Sequence, residues 1–416
     1  MSTTDHCEAL SLMPLAAAID TILNEVKAIS ETETLNLYVA HKRVLATDIV
    51  SLLNVPPADN SAMDGYALRS EDLTTIDTLE LIGTTLAGSP FTGSVNAGQC
   101  VRIMTGSVIP QGTNCVVMQE NTETNGKLVR FIQKPDAGNS VRKAGEDIAA
   151  GQLIVSKGTV LTPAHLALIA SIGQASVEVI RQLTVGLIAT GDELTLPGQQ
   201  LMAGAIYESN SFALAAMLEN LKIKVINYGI AKDEIASLRD VFKRADSECD
   251  LVVSCGGVSV GDADFVKDIL AESGRINFWK VAIKPGKPFA FGRLSQAWFC
   301  GLPGNPVSSY VTFEQLVMPL LRKLGGQSTA INQAPYFVAK AANLVHKRPG
   351  RADFQRGYFY RDVKGQLWVK TQDNQGSGVM SSLTNANCYL LLPQEQGDVN
   401  SGLELNILPF SNLFTD

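Results

Sequence analysis

The sequence predicts a multidomain protein of the α/β plus β class, with a central three-layer domain on a parallel or mixed sheet, an inserted β-rich lobe, and a small β-barrel-like domain at the C-terminal end. Three observations predict it. Apolar runs of strand length alternate with helix-length stretches through the middle of the chain, the pattern of βαβ units. Before them lie short β-rich runs separated by Gly, Asn, Pro and Ser turns, and after them short alternating runs of an all-β kind. A length of 416 residues also exceeds what one core ordinarily organises.

Residues 14–29 place Leu15, Ile19, Leu23 and Val26 on one face at helical spacing, which predicts an opening amphipathic helix. Runs at 101–104 and 115–119 read as strands of the β lobe, assigned to 46–147. A helix is expected again at Thr162, where a capping threonine precedes Pro163 at the first helical position and Gly173 supplies a stop. The flanking pieces, 1–45 and 148–180, are read as one discontinuous helical linker and dimerisation domain whose helices pack together. Within 181–328, strands are expected at 183–190, 224–228 and 250–254, and helices at 211–220, 234–247 and 307–324. The tail, 329–416, carries alternating runs at 366–371 and 388–392.

The net charge of -7, with 18% charged residues, gives no general reason to bind nucleic acid or anionic lipid. Any anionic ligand must therefore be held locally, which makes the positions of the basic residues informative. The acidic start and the lack of an apolar run of about 18 residues point to a cytoplasmic protein without a membrane span. Seven cysteines without a CxxC pair and four scattered histidines suggest neither a disulfide frame nor a zinc cage, and reduced buried thiols are expected.

In open α/β sheets ligands bind beyond the carboxyl ends of the strands. The loops in that position here are Gly191 to Glu193, GGVSVGDADF from Gly256 to Phe265, and GLPGNP from Gly301 to Pro306. Gly256 and Gly257 would let backbone approach a ligand, Ser259 offers a hydroxyl, and Asp262 and Asp264 add carboxylates. Phosphate together with a divalent cation suits such a mixture better than phosphate alone; the plain alternative is a tight turn before an Asp-capped helix. WKVAIKPGKPFAFG sets Lys280, Lys284 and Lys287 in an otherwise apolar, proline-stiffened stretch, a pattern for oxyanions or else a basic surface hairpin. Asp64, Thr105 and Asp147 upstream, and Arg351, Arg356 and Ser377 in the tail, are polar-turn residues that are also candidates for ligand binding.

Taken in order, DNSAMDGYA, VRIMTGS, GEDI, ATGDEL, GGVSVGDADF, KPGKPFAFG, GLPGNPVS and PGRADFQRG resemble the molybdopterin molybdenumtransferase family, MoeA and the gephyrin E-domain relatives, over nearly the full length. The resemblance implies an elongated four-domain subunit in a homodimer, with an active site formed by the central domain of one subunit and the β lobe of the other. It implies insertion of molybdate into adenylylated molybdopterin, with magnesium required and AMP released, and a transient contact with the preceding adenylylating enzyme. Carried over by motif, Ser259, Asp264, Lys280, Lys284 and Lys287 lie at the site, with Gly256, Gly257, Pro303 and Pro306 lining it and Arg351 and Ser377 helping to hold molybdate. Asp64, Thr105 and Asp147 would come from the partner's side, Glu193 and Asp233 would complete an acidic ring, and Asp64, Asp233 and Asp264 are the magnesium candidates. The sequence departs from many relatives at Glu208, where the longer acid stands in place of Asp ahead of Ser209 and Asn210. A receptor-clustering scaffold and a nucleotide amidohydrolase with a similar central domain are the alternatives; the retained charges at Asp64, Asp264 and Lys284 count against the first, and the β lobe and β tail against the second.

Overall fold

A strand covered on both faces has no solvent side on which to place polar residues, and the central apolar runs obey that constraint. Leu251–Cys255 is buried at every position, and Thr184–Thr190 at every position but the first. The computed structural model describes residues 12–232, 234–257, 274–328 and 336–410. In it, Lys224–Ala231, Thr184–Thr190, Leu251–Cys255 and Trp298–Leu302 form the parallel part of a six-stranded sheet, in that order. Pro288–Arg293 and Arg275–Lys280 extend it antiparallel. The sheet is mixed, as the alternation of runs predicts.

Helices Asn210–Asn220 and Pro306–Thr312 bury Leu214, Leu218, Val307 and Val311 in one cluster with Val185, Leu187 and Val253 of the sheet. Helix Ile235–Glu248 turns Leu238, Phe242 and Ala245 toward Ile188, Val252 and Phe299 in a second cluster, which completes three layers. Arg181 fixes the start of the sheet, donating to both carboxylate oxygens of Asp250 at 2.6 and 2.8 Å, while Thr184 N donates to the same group.

The tail closes on itself: Ala352–Arg361, Leu367–Thr371, Phe337–Ala341, Glu404–Pro409 and Cys388–Leu392 pair in sequence, and the last pairs back with the first. Ile283–Lys284 joins this barrel as a short parallel strand on Ala352 and Asp353. The lysine-rich segment is thus tied to the tail.

The chain divides into two compact units, one of 1–33, 42–44 and 180–416, the other of 34–41 and 45–179. The second holds the β lobe, a six-stranded sheet in the order Cys115–Met118, Gly65–Leu68, Gln99–Ile103, Thr78–Thr85, Leu128–Phe131, Thr122–Asn125. Its helix Pro163–Ser171 begins where expected, with Thr162 Oγ1 accepting from His165 N and Gly173 beyond the end at positive φ.

The structure shows the partner of one predicted helix and alters the course of another. The opening helix, Leu15–Glu25, buries Ala18 and Ile22 with Val317, Leu320 and Leu321 of the first unit, whereas Pro163–Ser171 lies in the second. Its apolar face is taken up by the larger apolar surface of the 313–324 segment. The helix predicted over 307–324 is Pro306–Thr312, a π-helical turn Phe313–Val317, and Met318–Leu324. Pro319 has no N–H to return to the preceding turn, and a wider turn just before it accommodates that loss.

That π turn carries Glu314, whose Oε2 is shut off from solvent together with the Tyr389 hydroxyl; the two groups face one another without a well-formed hydrogen bond. Burial pushes the Glu314 carboxyl up to about 7. Its contribution to stability is therefore fully present below the ordinary carboxylate range and is lost as pH rises through about 7. Glu314→Gln is expected to remove about 2 kcal/mol of difference between pH 5 and pH 8. Denaturant unfolding of both proteins at the two pH values measures it, and parallel pH profiles would refute it.

Candidate functional site

Register decides where the loops of a parallel sheet emerge. Ala189 pairs with Cys255 and Cys255 with Leu302, so three strands end at one level and release Gly191, Gly256 and the 303–306 loop on the same edge. Gly256 N donates to Leu302 O at 3.0 Å, and an added Cβ at Gly256 would lie 2.5 Å from Thr190 O, at a φ of +99°. Only glycine fits there. Asn210 Nδ2 donates to Gly304 O at 2.9 Å, tying the start of the neighbouring helix to the same loop. Under these loops the Thr190 and Ser254 hydroxyls are buried without hydrogen-bond partners among the described residues.

Glu208 turns toward its own helix. It is buried, accepts from Ser211 N at 2.9 Å and also bonds the Ser211 hydroxyl, so the longer acid caps the Asn210–Asn220 helix. Glu193 is exposed, with its carboxylate folded back over Gly191. Gly257 ends the described part of its loop; Ser259, Asp262 and Asp264, and also Asp233, lie outside the described residues.

The lysine-rich segment has a firm base. Pro285 and Gly286 are buried, and a Cβ on Gly286 would collide with Thr312 Oγ1, so the turn lies directly on the Pro306–Thr312 helix. Lys284 Nζ reaches Asp353 Oδ2 at 3.0 Å, while Lys287 is half-buried and Lys280 exposed. Pro303 is buried, Pro306 opens the helix, and Val307 N donates to Ser377 O at 3.0 Å. The tail loop is thereby fixed to the helix that follows GLPGNP.

Of the two tail arginines, Arg356 meets that loop. It is buried, with Nε donating to Ser382 Oγ at 3.0 Å and Nη2 to Gly376 O at 3.2 Å, while the Gln375 side chain brackets its backbone N and O. Burial lowers its pKa, against the opposing effect of the Tyr389 and Asp353 side chains. Arg351 is half-buried near Lys347, a buried lysine whose Nζ donates to Arg348 O at 2.8 Å. Burial lowers the Lys347 pKa first; Asp353 opposes the shift, and the charges of Lys284 and Arg351 add to it. Lys284 and Arg351, with the carboxylates of Asp353 and Glu395, thus all lie near Lys347, and Lys284 is paired directly with the buried Asp353.

In the β lobe, Asp64 accepts from Thr105 N at 2.7 Å and from Thr105 Oγ1 at 2.8 Å. The Thr105 N–H, then its hydroxyl, hold this exposed carboxyl below its usual range. Asn60–Ser61 pairs with Val141–Arg142, and Gly106 N donates to Ser61 O, so three motifs distant in sequence adjoin. Asp147 is exposed, with its N–H bonded to Val55 O. Among the described residues no three His, Cys, Asp or Glu side chains gather as a metal site.

Sequence reasoning missed Asp353 and Lys347, since a buried charge in a strand and one in a loop carry no pattern of their own. Gly286→Ala is expected to displace the lysine turn and cost at least about 2 kcal/mol, read as a lowered melting temperature; an unchanged melt would show that the turn yields freely.

The chain matches family models described as "MoeA N-terminal region (domain I and II)" over 13–173, "Probable molybdopterin binding domain" over 186–323, and "MoeA C-terminal region (domain IV)" over 338–410. It is 46% identical to a molybdopterin molybdenumtransferase of Haemophilus influenzae over 403 residues, covering 97% of this chain and 100% of that one. It is 32% identical to a gephyrin of Dictyostelium discoideum, covering 94% of this chain and 61% of that one. Among solved structures, a molybdopterin biosynthesis MoeA protein from Pyrococcus horikoshii superposes with a TM-score of 0.84 at 30% identity, covering 96% of this chain and 100% of that one.

Proposed function

The chain belongs to the molybdopterin molybdenumtransferase family, and on that premise we propose that it inserts molybdate into adenylylated molybdopterin with magnesium-dependent release of AMP. The observation that carries the proposal is the meeting of cationic and loop elements on one helix: the Lys284–Lys287 turn lies on Pro306–Thr312, and Ser377 O caps the same helix.

In this reading the Gly256–Gly257 backbone and the 303–306 loop cradle the anhydride and pterin, with Glu193 at the rim. Lys284 and Lys287 receive the tetrahedral oxyanion beside Arg351 and Ser377, and Lys280 adds positive charge. Arg356 holds the Ser377 loop in place. Asp64, Asp233 and Asp264 would hold magnesium, which supplies charge neutralisation at the anhydride; Thr105 keeps Asp64 ionised and oriented. Asp147 joins Asp64 and Thr105 from the β lobe, supplied by the second subunit of a homodimer.

A dimer is also favoured by the exposed apolar set Val50, Leu52, Leu53 and Leu153, of which Val50 and Leu153 pair in register. The proposed setting is cytoplasmic, with transient contact to the adenylylating enzyme; among the described residues no helix is long and apolar enough to cross a membrane.

Purified protein given adenylylated molybdopterin, magnesium and molybdate is expected to release AMP, and Asp64→Ala, Asp264→Ala and Lys284→Ala to lose at least about 100-fold in rate while remaining folded. Full release by all three variants would defeat the assignment. Mixed Asp64→Ala and Asp264→Ala subunits are expected to recover part of the activity, and failure to do so would place each site within one chain.

A further inference from the structure

We infer that Asp353 is the positioning residue that aims Lys284 at the oxyanion, an inference that rests on the proposed role of Lys284. Parallel pairing puts Lys284 directly opposite Asp353, with Ala352 N bonded to Ala282 O one step before, so the two side chains leave the barrel on the same face. The pair is unequal. Asp353 is 3% exposed, whereas the Lys284 side chain is 43% exposed, so the carboxylate is fixed in the protein while the ammonium stands at the edge of solvent.

Three features make this a device for orientation and not a simple surface ion pair. An ammonium has three N–H donors; Asp353 Oδ2 takes one at 3.0 Å and leaves the others for an arriving anion. Gln355 Nε2 donates to the same Oδ2 at 3.2 Å and to His346 O at 2.8 Å, which locks the carboxylate from behind. Finally, the charged groups around the pair are more positive than negative: the charges of Lys284 and Arg351 act on the buried Lys347, against the carboxylates of Asp353 and Glu395. A lone buried carboxylate beside an oxyanion site would repel the substrate; here the nearby cations outnumber it. Asp353 can therefore restrain Lys284 without making the site repulsive to molybdate.

The long lysine stem has many rotamers, and one fixed acceptor at its tip removes most of them before the substrate arrives. Removing the Asp353 charge should therefore weaken molybdate capture selectively. Asp353→Asn keeps size and one acceptor oxygen. In the AMP-release assay with the full homodimer, KM for molybdate is expected to rise at least tenfold, with KM for adenylylated molybdopterin changing less than twofold and kcat at saturating molybdate less than threefold. A second reading needs no turnover: a short pulse of acetic anhydride at pH 8, with peptides analysed by mass spectrometry, compares Lys284 with the exposed Lys364. Lys284 is expected to acetylate at least fivefold faster in Asp353→Asn than in the unaltered protein. Gln355→Leu, which leaves Asp353 more dependent on Lys284, is expected to slow that acetylation.

Equal increases in both KM values, or Lys284 acetylation unchanged in Asp353→Asn, would overturn the inference. If the unaltered protein releases no AMP while the acetylation differences hold, the proposed reaction fails and the Lys284–Asp353 restraint stands. If Asp353→Asn does not fold, an unchanged Lys284 acetylation rate in Gln355→Leu overturns the inference and a slower one supports it.

Discussion

The segment 306–324 is the constraint on which the rest of the first unit depends, because each proposed anion-binding element of the described structure is fixed to it or to the strand ends beside it. Gly286 lies against Thr312, Ser377 O holds Val307 N, and helix Leu15–Glu25 covers the far end through Ala18 and Ile22. Such packing has no slack: a side chain at 286 has nowhere to go, and interiors at this density pass a displacement to their neighbours. The precision that the proposed oxyanion site requires of its ammonium groups thus rests on a helical segment whose buried residues pack into the core.

Electrostatics then works against the average charge of the molecule. A net charge of -7 would repel molybdate at long range, so capture must come from local fields. In the proposed site Lys284, beside Asp353, with Lys347 and Arg351 nearby, would supply one. Burying Lys347 and Arg356 costs desolvation, and both donate to backbone carbonyls, Arg348 O and Gly376 O, while the Asp353 charge acts on each without a direct hydrogen bond to either. Carbonyl partners leave the positive charge in place for a ligand, where carboxylate partners would cancel it.

Much of the fold was legible because burial leaves a period in the sequence. The largely apolar 251–255 and 184–190 runs fit strands of a two-sided sheet, and the Thr162–Pro163 start with its Gly173 stop is local chemistry that needs no tertiary information. The opening helix was legible as a helix but not in its partner, since an apolar stripe states that it will be covered and not by what. The π turn at 313–317 escaped for a related reason: Pro319 announces a break, but the way neighbouring turns absorb it depends on Tyr389 and the barrel packed alongside.

The candidate site divides the same way. Glycines at strand ends and lysines among apolar residues are visible because such residues are out of place in their surroundings. The residues that hold them are not. Asp353 lies between Ala352 and Phe354 in a strand whose alternation would accept many polar residues, and its partner lies 69 positions away. Glu208 shows the converse: an acid beside a ligand loop invites a ligand role, yet Ser211, three residues on, offers both a backbone N–H and a hydroxyl, and the nearer donors win. Whether a charged side chain in such a site faces the substrate or faces the protein is decided by which partner is already held in place, and that is set by strand register and helix starts, which composition does not record.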